Sequence, residues 1–116
     1  MSETSMRTLI VDDEPLARRG IRARLAAAGV ETIGECDGGR AAIDAIRELA
    51  PDLVFLDVQM PEVDGFAVLN AIGAERMPIV IFVTAFDSHA LHAFESHALD
   101  YLLKPIDGAR FVEALA

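Results

Sequence analysis

The chain has 116 residues, enough for one compact domain that buries roughly two-thirds of its unfolded surface. With 53% hydrophobic and 25% charged residues it is neither disordered nor fibrous, and no apolar run approaches the ~20 residues of a membrane helix. The formal net charge is -9, from 19 acids against 10 bases, so the domain is expected to make no direct contact with nucleic acid. The single cysteine, Cys36, rules out an internal disulfide. A cytoplasmic location without membrane contact is the expectation.

Residues 1–6 read as a loose tail, and one domain is expected over 7–116. Apolar, often β-branched runs predict strands at Thr8–Val11, Thr32–Cys36, Leu53–Leu56, Ile79–Val83 and Tyr101–Leu103. Helix-period segments lie between and after them: Ala17, Ile21 and Leu25; Ile43, Ile46 and Leu49; Phe66, Leu69 and Ile72; Leu91 and Phe94. Glu14-Pro15 opens the first helix, Gly29 marks its stop, and Pro51-Asp52 closes the second. A last helix starts near Asp107 and is cut off at Ala116, so the chain is read as part of a longer protein whose effector domain is absent here. This βα alternation predicts an α/β fold, (βα)5, with a parallel sheet between two helical layers. The third and fourth strands, apolar at every position, belong at its buried centre.

In such a sheet, ligands bind beyond the carboxyl ends of the strands. The first strand ends in Asp12-Asp13, the third in Asp57, the fourth in Thr84 and the fifth in Lys104-Pro105. Singly, each has an ordinary account: Asp13 as a helix cap, Asp57 as a turn residue, Thr84 as a strand residue, Lys104 as a solvated charge. Jointly they crowd three carboxylates that repel one another unless a cation neutralises them. Hard oxygen donors suit Mg2+, and a lysine with a hydroxyl beside them suits phosphoryl oxygens.

Asp12-Asp13-Glu14-Pro15, Asp57-Val58-Gln59-Met60-Pro61 with Asp64-Gly65-Phe66, Thr84-Ala85, and Tyr101-Leu102-Leu103-Lys104-Pro105 resemble the motif set of two-component response regulator receiver domains. The resemblance implies a flavodoxin-like three-layer sandwich with the five strands in the order 2-1-3-4-5. It implies that Asp57 is the phosphoacceptor, with Asp12, Asp13, Asp57 and the backbone carbonyl of Gln59 as Mg2+ ligands. Lys104 and Thr84 would engage the phosphoryl group, Tyr101 would be the switch aromatic, and Pro105 would follow a cis bond. The donor implied is a sensor histidine kinase, and the chain would catalyse only its own phosphorylation and dephosphorylation. Phosphorylation would remodel the face of the fourth helix, fifth strand and last helix, favour a homodimer, and control a DNA-binding output domain in transcription regulation. The stretch from Ala85-Phe86-Asp87 to His97-Ala98-Leu99-Asp100 and on to Ile106 resembles receivers attached to LytTR-type DNA-binding domains.

Other features carry less. His89, His92 and His97 cluster near the fourth helix without a supporting shell for a metal, and a solvated or partner-facing edge is the preferred reading. Cys36 reads as a small apolar filler. Arg18, Arg19, Arg22 and Arg24 read as a solvated face, with docking of the phosphodonor protein as the alternative. Two rivals remain: a haloacid-dehalogenase-like phosphatase, which would want Asp-x-Asp after strand one, and a binding module of the same fold without the chemistry.

Overall fold

A computed structural model describes residues 6–73, 75–85, 100–104, 106 and 108–115. The strands are β1 (Arg7–Val11), β2 (Glu31–Cys36), β3 (Leu53–Asp57), β4 (Ile79–Thr84) and β5 (Asp100–Leu103). The helices are α1 (Pro15–Ala27), α2 (Gly39–Leu49), α3 (Gly65–Ile72) and α4 (Gly108–Leu115). All five strands extend one residue beyond their predicted runs at one end, and in β3 and β4 this makes Asp57 and Thr84 close strands instead of following them. The segment holding Leu91, Phe94 and the three histidines lies outside the described residues, as do Pro105 and Asp107.

The strands form one parallel sheet in the order β2-β1-β3-β4-β5. Every residue of β3 is buried, as a central strand covered on both faces requires. Side chains alternate across the sheet and build two cores. Leu9, Val11, Val54, Leu56 and Phe82 pack with Ala42 and Ile46 of α2 and Val68, Leu69 and Ile72 of α3. Ile10, Phe55, Ile81 and Val83 pack with Ile21 and Leu25 of α1 and Phe111 and Ala114 of α4. Phe55 and Phe111 stack with centroids 5.4 Å apart, tying the central strand to the last helix.

The helix ends follow from local chemistry. Pro15 begins α1 and Gly29, at φ 75°, ends its last turn. Asp64 caps α3, its side chain accepting from the Ala67 amide at 2.9 Å. Gly65 donates its amide to the Val58 carbonyl, and a Cβ there would stand 2.6 Å from the Asp57 carbonyl oxygen. Only a glycine lets α3 start so close to the end of β3.

Three of the four arginines of α1 correct the preferred sequence reading in part, while Arg19 is exposed as expected. Arg18 is partly buried, donates to the Asp12 carbonyl at 2.7 Å and lies 3.4 Å from Glu35; Arg22 pairs with Glu35 at 3.0 Å. Arg24 donates to the Ile106 carbonyl at 3.2 Å. At least these three bind α1 to β2 and to the approach to α4, instead of forming a purely solvated face.

Candidate functional site

Strand register assembles the site. Val11 pairs with Leu56, so Asp12 leaves β1 beside Asp57 at the end of β3. Thr84 pairs with Leu103, so Lys104 leaves β5 on the same edge. These ends surround an open cleft of about 650 Å³ lined by Asp13, Glu14, Asp57, Gln59, Met60, Pro61, Ala85 and Lys104.

The acids differ in setting. Asp12 is fully buried, Asp57 nearly so, and Asp13 partly exposed. Asp12 Oδ1 accepts from the Glu14 amide at 2.9 Å, and Asp57 Oδ1 accepts from the Gln59 amide at 3.2 Å. Each carboxylate thus folds its own strand-end turn and keeps its second oxygen for the cleft. Asp13 does not cap α1; the capping position belongs to Glu14, whose side chain makes no capping bond.

Lys104 joins the carboxylates. Its Nζ lies 2.8 Å from Glu14 Oε1, 2.9 Å from Asp12 Oδ2 and 3.4 Å from Asp57 Oδ2. The Asp12 contact is a charge pair without hydrogen-bond alignment, leaving that buried oxygen without a hydrogen-bonded partner. Burial works against the Lys104 charge, but Glu14, Asp12 and Asp57 outweigh it and hold the ammonium well above its ordinary range. Hydrogen bonding to Lys104 draws the Glu14 carboxyl below its usual value. Asp57 moves the other way, to about 6: burial raises it most, the Asp12 charge adds to that, and Lys104 only partly offsets both. Burial thus outranks the mutual repulsion expected from the sequence. Cys36 is a buried filler, its thiol pushed up to about 11 chiefly by burial.

Asp12, Asp13 and Asp57 each offer an oxygen, all within 4.8 Å of one another. Three hard donors, one of them a buried oxygen without a hydrogen bond, fit a small divalent cation. Gln59 borders the cleft beside them. Thr84 and Tyr101 are placed by backbone alone, at the end of β4 and within β5, where Tyr101 pairs with Phe82. Glu14 is the site residue to which the sequence assigned no such role. Its signal was its position next to the acid pair, but helix initiation explained it equally well.

The matching family model, described as "Response regulator receiver domain", covers residues 8–116. Transcriptional regulatory protein BtsR of Escherichia coli (strain K12) is 47% identical over 112 residues, covering 96% of this chain and 47% of that protein. The chain therefore spans about half the length of that curated relative. Among solved structures, the signal receiver domain of NarL from Mycobacterium tuberculosis matches with a TM-score of 0.85 at 33% identity, covering 97% of this chain and 94% of that one. The response regulatory domain of protein mrkE from Klebsiella pneumoniae matches at 0.83 and 32% identity, covering 95% and 92%.

Proposed function

This chain belongs to the response regulator receiver family, and from that premise we propose that it is a switch phosphorylated on Asp57 by a histidine kinase. The observation that carries this reading is the Asp57 carboxylate itself. It is almost buried at the foot of an open cleft, beside two further acids and with a lysine 3.4 Å away. Its raised pKa makes it a more basic nucleophile than an ordinary aspartate while leaving it largely ionised near pH 7.

In the transfer, a carboxylate oxygen of Asp57 bonds to phosphorus as the bond from phosphorus to the donor nitrogen breaks. The electron pair of that bond stays on the departing ring nitrogen, and the ring leaves as neutral histidine because its other nitrogen already carries a proton in the donor. Lys104 neutralises charge on the phosphoryl oxygens, and the Thr84 hydroxyl donates to them once they arrive. Asp12, Asp13, Asp57 and the Gln59 carbonyl would hold Mg2+, which supplies positive charge to the phosphoryl oxygens. Water attack on the acyl phosphate later restores the carboxylate, so the chain acts only on its own modification.

The charge added, about -1.5 to -2, draws Thr84 and Lys104 inward and lets Tyr101 follow. We place the output on the face of β5 and α4 together with the segment before β5, with pairing of two copies as its consequence. Control of a DNA-binding domain, of the LytTR type, is proposed for the whole protein. BtsR is itself described as a transcriptional regulatory protein, which supports that reading. A small phosphodonor separates the alternatives: with Mg2+ and acetyl phosphate the chain should gain one phosphoryl mass. Turnover of a phosphomonoester would instead indicate a phosphatase, and neither result would indicate a binding module.

A further inference from the structure

Glu14 occupies the capping position of α1, where a short acid normally serves its own helix. Its side chain instead reaches a partner 90 residues away in sequence, accepting a hydrogen bond from the Lys104 ammonium at 2.8 Å. The ammonium has three N–H donors and faces three carboxylates: Glu14 and Asp12 closely, Asp57 at the longer 3.4 Å. Before any phosphoryl group arrives, Lys104 thus donates to Glu14 and Asp57 and is held beside Asp12 as a charge pair. To turn toward new oxygens on Asp57, Lys104 moves away from one of these partners. Asp12 is fully buried, so releasing it would leave a charge out of reach of water. Glu14 is 64% exposed, and water replaces Lys104 there readily.

We propose that Glu14 is a positioning residue, a displaceable holder that keeps Lys104 at the mouth of the cleft in the unphosphorylated chain and yields it when Asp57 is modified. This deepens the receiver reading and rests on it. The holder depends on length as well as charge, because the Glu14 carboxyl reaches Lys104 at direct contact, 2.8 Å, and a side chain one methylene shorter would lose that contact. It favours the unmodified state, so shortening the side chain should act like removing its charge.

The test is beryllofluoride binding in the presence of Mg2+, followed by calorimetry, for wild type, Glu14→Gln and Glu14→Asp. Both variants should bind about two- to five-fold more tightly than wild type, the range expected of one exposed ion pair. If Glu14→Asp binds like wild type while Glu14→Gln binds more tightly, Glu14 acts only as a nearby negative charge and the holder is refuted. Equal affinity in all three proteins refutes it as well. Nuclear magnetic resonance of the Lys104 ammonium in the metal-free protein gives an independent readout. Its proton exchange should be slow in wild type and faster in both variants, and unchanged exchange would overturn the proposal. Failure of wild type to bind beryllofluoride at all would instead defeat the receiver reading of the site.

Discussion

Asp57 is the residue at which stability and chemistry oppose each other. Its pKa rises from 3.8 to about 6 on folding, so the folded chain holds this proton over a pH range where the unfolded chain has released it. Stability of the metal-free protein should therefore fall as pH rises from about 4 to about 6, then level off, through a span on the order of 3 kcal/mol. Asp57→Asn removes that charge, so the variant should melt above wild type at neutral pH. The gap should close toward pH 4. Denaturant melts across that range check the prediction, and parallel curves for the two proteins would place the penalty elsewhere. The gain in stability should come with complete loss of phosphoryl acceptance.

At the scale of elements, the joint between α2 and β3 carries a cost that one substitution can remove. Ala50 closes α2 at φ 46° and ψ 59°, a left-handed conformation that an L side chain resists. Ala50→Gly should raise stability by about 0.5–1 kcal/mol, seen as a higher urea midpoint with an unchanged slope. The opposite outcome is expected in the core shared by α1 and α4. Phe111 is 2% exposed and stacks on Phe55, so Phe111→Ala should cost about 3–5 kcal/mol. These elements were legible because their signals are local. The all-apolar runs of β3 and β4 announce central strands, and the acids and lysine at successive strand ends announce one shared edge. The ties of Arg24 to Ile106 and of Glu14 to Lys104 were not legible, since each joins residues more than 80 apart. A charged residue on a helix looks the same in sequence whether it is solvated or paired across the fold. Burial as the main cause of the Asp57 shift was hidden for a related reason: the sequence shows neighbouring charges but not how deeply a side chain is enclosed.

For the whole molecule, a cation held by the cluster of Asp12, Asp13 and Asp57 would couple folding to metal binding. Mg2+ at ~100 times its dissociation constant should add roughly 2.7 kcal/mol of stability if it binds only the folded chain. Asp12→Asn or Asp13→Asn should relieve repulsion and raise the metal-free melting temperature while abolishing most of the Mg2+ response. A wild-type melting curve indifferent to Mg2+ would remove the metal from the account. The central claim, however, concerns where a phosphoryl group goes. The most direct measurement is tandem mass spectrometry of the protein after reaction with acetyl phosphate and Mg2+, with the acyl phosphate trapped before digestion. The account predicts a single modification, on the peptide containing Asp57 and at that residue, absent from Asp57→Asn. A phosphoryl group on Asp12 or Asp13, or labelling that persists in Asp57→Asn, would contradict it.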